Sequence, residues 1–226
     1  MSMAAIRMDQ ALLRRNANRL LNDIQRLQVG TSTQRETQQL MHQWPQAAKL
    51  DGDCSRRCGF IIVLDNFFRR HNEFFINHRR LMRLYTLLGG QLAEVRAGIS
   101  FVNGVRQSET VGVYLYVSPY RNSTGSWSDY TLIGGASFVP ESQRQGWPHP
   151  PTPDKLHPTY FVGPHGGCDG CLLIDVRFLS GVSTSDVNRL MQFDFSCLTR
   201  WWYPCRTQGD LMPAAWEQYL ADEARR

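Results

Sequence analysis

The stretch that decides the fold reads EVRAGISFV at residues 94–102, Asn103-Gly104, and VRQSETVGVYLYV at residues 105–117. Asn-Gly is the dipeptide that a tight hairpin turn prefers, because both central positions need a positive φ. After the turn, apolar side chains alternate with other residues at Val111, Val113 and Leu115, as in a strand with one buried face. The pattern therefore predicts an antiparallel β-hairpin.

Further strands are predicted on both sides of this hairpin. Residues 58–66 (CGFIIVLDN) form a continuous apolar run, which is typical of a buried strand. Residues 130–139, 160–162 and 172–179 are also strand candidates. We expect loop at residues 119–129, and irregular surface at residues 140–158, which contain six prolines.

Helical periodicity marks the ends of the chain and one central segment. Residues 4–28 have apolar side chains at helical spacing, and Thr33 with Glu36 has the form of a capping box for a second helix that ends near Trp44. Residues 67–88 predict one long amphipathic helix or a broken pair. Ser183 or Ser185 can cap a helix that runs toward residue 197, and Pro213 suits the first turn of a final helix.

Together these elements predict an α+β fold, with N-terminal helices and a central amphipathic helix packed on a mainly antiparallel β-sheet. We expect residues 1–30 to form an N-terminal amphipathic helix and residues 31–226 to form a single α+β domain. The chain of 226 residues is long enough to bury a sizeable core without help from cysteines. No stretch approaches the roughly 20 apolar residues of a membrane span, and no secretory signal is visible.

The net charge of +5 favours anionic partners without requiring them. We find no helix-turn-helix, zinc-finger or RNP-like pattern, which argues against nucleic acid as a partner. No G-x-S-x-G, Gly-rich phosphate loop or H-E-x-x-H motif is present either. Catalysis therefore has no positive support in the sequence, and no catalytic residue is predicted.

Six cysteines fall into three close pairs, Cys54 with Cys58, Cys168 with Cys171, and Cys197 with Cys205. The first interpretation is structural disulfides, within or between the pairs, in an oxidising compartment. The second is a structural zinc site formed by Cys54, Cys58, Cys168 and Cys171, because thiolates two to four residues apart can occupy two corners of a tetrahedron. Zinc is the one cofactor that the sequence suggests.

A third interpretation takes Cys168-Asp-Gly-Cys171 as a redox C-x-x-C motif. Redox thiols of this kind usually begin a helix, whose N-terminus lowers the pKa of the first cysteine. The segment after Cys171 has the pattern of a strand, which disfavours redox catalysis. Buried unpaired thiols are the remaining alternative.

The segment at residues 67–88 also carries a candidate binding surface. Arg69, Arg79, Arg80 and Arg83 fall opposite its aromatic side, as in a basic amphipathic helix on an anionic membrane surface. The alternative is that the aromatic side packs on the sheet while the arginines are simply solvated. We favour this alternative on the sequence.

Two resemblances extend these interpretations. The order helix, helix, strand, hairpin and the segment VGTSTQRET at residues 29–37 resemble the two-helix-on-sheet modules of outer-membrane assembly lipoproteins and β-lactamase inhibitor proteins. Residues 27–44 begin LQVGTST, residues 51–66 read DGDCSRRCGFIIVLDN, and residues 193–216 run from FDFSCLTR to MPAAW. Together they resemble a family of uncharacterised proteins that typically carry an N-terminal membrane anchor followed by an extracytoplasmic domain with paired cysteines.

The second resemblance implies an extracytoplasmic or membrane-associated location, and a cytoplasmic one is expected otherwise. No such anchor is seen in this sequence. The leading hypothesis is a non-enzymatic, disulfide-stabilised domain for association with a protein partner or an anionic membrane surface. The alternative is a structural zinc-binding or thiol-redox protein that uses the paired cysteines.

Overall fold

The computed structural model describes residues 2–27, 34–52, 57–71, 78–103, 105–121, 127–138, 158–164, 171–179, 181–200 and 205–225. In these residues seven strands form one sheet in the order β1-β2-β3-β4-β5-β7-β6. All neighbours are antiparallel except β5 and β7, which are parallel. The predicted α+β class is confirmed.

The strands follow one another along the chain from the first third onward. Their bounds are β1 Ala48–Asp51, β2 Arg57–Asp65, β3 Leu92–Val102, β4 Val105–Arg121, β5 Trp127–Phe138, β6 Thr159–Pro164 and β7 Cys171–Phe178. The predicted hairpin is present as β3 and β4, and Asn103 has the positive φ of 52° that the turn requires. The loop predicted at residues 119–129 is wrong at both ends, because β4 and β5 continue pairing as far as Arg121 and Trp127.

The sheet buries one face against helices. In β2 the even-numbered side chains from Cys58 to Leu64 are buried, whereas the odd-numbered ones are only half-buried. In β3 the odd-numbered side chains from Val95 to Phe101 belong to the same core. The apolar run at residues 58–66 is therefore a strand with one buried face, rather than one buried on both.

The helices are α1 Met3–Gln25, α2 Gln34–Gln43, α3 Phe67–Arg70, α4 Arg79–Leu87, α5 Thr184–Leu190, α6 Gln208–Leu211 and α7 Pro213–Glu223, with a 3-10 helix at Phe195–Thr199. In the described part of the segment predicted at residues 67–88, α3 ends at Arg70 and α4 begins at Arg79. The helix capped by Ser183 ends at Leu190 rather than near residue 197. Leu13, Leu20 and Ile24 of α1 lie in the main core, so α1 packs as part of the same unit as the sheet.

Two glycines of the sheet illustrate how closely its faces are packed. A Cβ atom at Gly134 of β5 would lie 2.7 Å from Leu211 Cδ2, so the absence of a side chain lets α6 approach the sheet. A Cβ atom at Gly98 of β3 would have nothing within 4 Å. The first glycine is required by packing, and the second faces open space.

Candidate binding cleft

The structure joins Cys197 and Cys205 in a disulfide with a Cα–Cα distance of 4.9 Å. Both side chains are completely buried, and Cys197 belongs to the 3-10 helix, which packs against α1. Cys58 and Cys171 are also disulfide-bonded. Cys54 and Cys168 lie outside the described residues.

The sheet places Cys58 and Cys171 at opposite ends. Cys58 lies opposite Phe101 of β3, and Phe101 is paired with Arg106 of β4. Cys171 lies opposite Thr131 of β5, and Thr131 is paired with Tyr116 of β4. Arg106 and Tyr116 are ten residues apart in β4, which corresponds to about 33 Å along the strand. The four strand spacings from β2 to β7 add about 19 Å across the sheet.

Two thiolates on one tetrahedral zinc ion lie within about 4.6 Å of each other, because each Zn–S bond is about 2.3 Å. One ion therefore cannot contact both Cys58 and Cys171, and the four-cysteine site predicted from Cys54, Cys58, Cys168 and Cys171 is incompatible with the sheet. No group of three or more His, Cys, Asp or Glu side chains that could hold a metal ion occurs in the described residues. Cys171 begins a strand, not the helix that a reactive C-x-x-C thiol prefers.

The four arginines singled out from the sequence are divided between two helices, with Arg69 in α3 and the other three in α4. Arg69 of α3 lies 3.3 Å from the buried carboxylate of Glu94, which Arg96 also contacts. Arg80 of α4 is exposed. The side chains of Arg79 and Arg83 lie outside the described part of the chain.

A cleft of about 470 Å³ lies at the edge of the sheet, where β2 runs past the beginning of β1. Helix α1 forms one wall, and α3 closes one end. The lining side chains combine polar and apolar groups, and they are Asp9, Leu12, Leu13, Asn16, Gln46, Ala47, Lys49, Val63, Leu64, Asp65, Phe67 and Arg70. We call this site the β2 cleft.

Asp9 connects the two helices that border the β2 cleft. Its carboxylate oxygens accept the backbone N–H of Phe67 at 3.0 and 3.1 Å, and this contact holds the start of α3 against α1. Burial raises the pKa of Asp9 above its usual range, although the Phe67 N–H and Arg70 oppose the shift. Asp65 has its own partner, because Arg70 donates to it at 2.9 Å.

Lys49 of β1 is the cleft's other charged side chain. It is exposed, and among the described residues it has neither an ion-pair partner nor a hydrogen bond to its ammonium group. The acidic groups of the cleft already contact Phe67 and Arg70, as described above. The two carboxylates and two cations of the β2 cleft balance in formal charge, and Lys49 is its one cation outside an ion pair among the described residues.

The backbone of β2 also presents unpaired groups to the cleft. Val63 N–H donates to Ala47 O at 2.9 Å, whereas Asn66 N–H donates to Ala93 O of β3 at 3.3 Å. Since backbone groups alternate in direction along a strand, odd-numbered residues of β2 face β1 and even-numbered ones face β3. Asp65 thus directs its N–H and C=O to the β1 side.

Among the described residues, no strand meets Asp65 on that side. Pairing of β1 begins at Ala48, opposite Ile62, and the same register would place Pro45 opposite Asp65. Ala47 N–H donates to Trp44 O at 3.0 Å, so it does not bond to Val63 C=O. Three backbone groups, Val63 C=O, Asp65 N–H and Asp65 C=O, therefore have no strand partner within the described part of the chain.

Apolar surface lies beside these backbone groups. Leu12 of α1 is 56% exposed and Phe67 of α3 is 54% exposed, although both line a concave site. Exposed apolar side chains around a concavity mark a site that can bury a ligand. The β2 cleft thus combines apolar contact area with hydrogen-bonding groups.

A buried hydrogen-bond network behind α3 fixes the end of β2. Asn66 caps α3 by accepting Arg69 N–H at 2.9 Å, and its amide donates to Tyr85 Oη at 3.3 Å. Tyr85 Oη in turn donates to Gln91 O at 2.8 Å, and burial raises the pKa of Tyr85. The β2 cleft is therefore preorganised on its α3 side.

Tyr160 of β6 differs from Tyr85, because its hydroxyl is buried without a hydrogen-bond partner in the described residues.

Sequence reasoning missed the residues of the β2 cleft. Asp9, Lys49 and Asp65 are far apart in the chain, and β1 was not predicted at all. The pair Asp65-Asn66 directly after an apolar strand is the one local signal that could have directed attention to this site.

No protein-family model, curated protein or solved structure matches this chain. The family resemblance drawn from residues 27–44, 51–66 and 193–216 therefore stays a prediction. In the described part of the chain, every helix is too short or too polar to span a bilayer.

Proposed function

We propose that this protein is a non-enzymatic, disulfide-stabilised domain that associates with a protein partner, and that the partner binds in the β2 cleft. The observation that carries the proposal is the combination, in one open concave site, of exposed apolar side chains with unpaired strand backbone at Val63 and Asp65. Backbone groups of this kind are satisfied by another chain more readily than by a small apolar ligand.

The charges of the β2 cleft support association rather than catalysis. Asp9 and Asp65 are occupied by contacts that hold α3 in place, so neither carboxylate is poised for proton transfer. The described residues that line the cleft include no cysteine, serine or histidine that could act as a nucleophile.

The test is selection of ligands from a phage-displayed library of random linear peptides on the purified full-length chain. Leu12→Arg introduces charge and bulk into the cleft, and Leu220→Arg is the matched control, because Leu220 is an exposed leucine of α7 outside the cleft. We expect enriched peptides to bind Leu12→Arg at least about tenfold more weakly, a loss of about 1.4 kcal/mol, and to bind Leu220→Arg normally.

Failure to enrich any peptide, or equal binding to the two variants, contradicts the proposal. Thermal unfolding of both variants establishes that a loss of binding is not a loss of fold. Both leucines are solvent-exposed, so we expect unfolding temperatures close to that of the wild type.

A membrane surface is the second candidate, and α4 is the observation that favours it. Leu84 and Leu87 of α4 are 46% and 77% exposed, and Arg80 is exposed on the same helix. Flotation with anionic vesicles at low salt tests this candidate, because electrostatic attraction is least screened there. Leu87→Glu should abolish flotation, and absence of flotation by the wild type eliminates the candidate.

A further inference from the structure

The β2 cleft continues the line of the edge strand β1. Backbone groups of Val63 and Asp65 point into it in the same direction as those that β1 satisfies farther along β2. An extended peptide is the ligand whose own backbone alternates with the matching period, so it can supply the missing strand partner. A helical peptide has its backbone groups bonded internally and cannot do so.

The charge of the site restricts the peptide further. Lys49 lies opposite Ile61, so its side chain is on the same face of the sheet as those of Val63 and Asp65. It is the cleft cation that has no ion-pair partner among the described residues. A carboxylate of the ligand would form an ion pair with the ammonium group of Lys49.

We infer, on the basis of the proposed function, that the β2 cleft binds an extended segment of its protein partner that pairs with β2 at Val63 and Asp65 and places an acidic group against Lys49. An apolar side chain of the segment contacts Leu12 and Phe67. The acidic group is an Asp or Glu side chain or a C-terminal carboxylate. The segment thus takes the position that β1 leaves open.

If the peptide pairs with β2 as a strand, blocking its backbone N–H groups one at a time should weaken binding at every second residue. Only alternate residues of a strand direct their N–H toward one neighbour. With a peptide enriched in the selection above, single N-methylation should weaken binding at least tenfold at alternate residues that face β2. At the intervening residues it should change affinity by less than about twofold.

The protein supplies a matching readout. Hydrogen exchange of the Asp65 amide should slow at least tenfold when the peptide is saturating, because its N–H gains an acceptor. The Leu64 amide is the matched control, because its N–H faces β3 and is already paired, so its exchange should not change.

A charge swap tests the acidic group. Lys49→Glu should weaken an acidic peptide at least tenfold, and changing the peptide's acidic residue to Lys should restore most of the loss. Arg225→Glu is the control, since Arg225 is an exposed cation at the end of α7. We expect it to leave the affinity unchanged.

The outcomes separate the two proposals. A peptide that binds, and is blocked by Leu12→Arg, but shows neither alternation nor protection of Asp65 overturns strand pairing and leaves the proposed function standing. Enriched peptides without an acidic residue, or with no response to Lys49→Glu, overturn the charge assignment. Absence of any peptide ligand overturns both proposals, and binding to anionic vesicles alone favours the membrane candidate on α4 instead.

Discussion

Replacement of Cys197 and Cys205 by alanine should lower the free energy of unfolding by about 2.5 kcal/mol. The two cysteines are 8 residues apart in sequence, so the disulfide removes about 8.3 cal/mol/K of loop entropy from the unfolded chain, and this value multiplied by 298 K sets the expected loss. Both side chains are fully buried, so the packing lost with the sulfur atoms adds to the effect rather than opposing it.

The assay is equilibrium unfolding in urea of the wild type, the two single variants and the double variant. Because either single substitution breaks the bridge, we expect each single variant to lose nearly as much stability as the double variant. Such strong non-additivity is the signature of a cross-link. With a slope of about 2–3 kcal/mol/M, the midpoint should fall by about 1 M urea.

The bridge also bears on the β2 cleft. It is anchored at the 3-10 helix, where Thr199 Oγ1 accepts a hydrogen bond from Arg14 of α1 at 2.9 Å, and α1 forms a wall of the cleft. The double variant should therefore bind peptide more weakly than the wild type. Additive losses in the single variants, or a loss below about 1 kcal/mol in the double variant, would refute the reasoning.

Three further predictions concern packing, hydrogen bonding and charge. Gly134→Ala should destabilise the fold by about 1–3 kcal/mol in urea unfolding. Gly98→Ala should be neutral or stabilising by up to about 1 kcal/mol, because its Cβ meets open space. Tyr85→Phe should cost about 1 kcal/mol by loss of its hydrogen bonds, while Tyr160→Phe should not lower the unfolding temperature. Asp9 has a raised pKa in the folded state, so the folded chain binds the proton more tightly than the unfolded one. The free energy of unfolding of the wild type, relative to that of Asp9→Asn, should therefore increase as pH falls from the folded-state pKa of Asp9 to its unfolded-state value of 3.8. A difference between the two proteins that does not change with pH would contradict this.

Local chemistry explains what could be predicted from the sequence. The Asn103-Gly104 turn dipeptide and the alternation of β4 specify a hairpin because turn conformation and side-chain period depend on neighbouring residues alone. In the same way, Ser183 caps α5 and Pro213 begins α7, as expected from their preferences at helix ends. The α+β class follows from such elements taken together.

Strand β1 shows where this reasoning ends. Its four residues, Ala48–Asp51, have no local strand pattern, and they are extended because β2 offers them a backbone partner. The parallel pairing of β5 with β7 is a similar case, because β6 intervenes in the chain and lies at the outer edge of the sheet.

The sequence by itself determined the hairpin, the α+β class and most of the longer elements, because these depend on contacts within a few residues. Only the tertiary structure decided which distant groups meet. Asp9 and Phe67 are 58 positions apart and share a hydrogen bond, whereas Cys58 and Cys171, which the sequence allowed on one metal ion, lie at opposite ends of the sheet. The β2 cleft exists because strand register and helix packing place α1, β1, β2 and α3 side by side, and register is a property of pairing that no single segment contains.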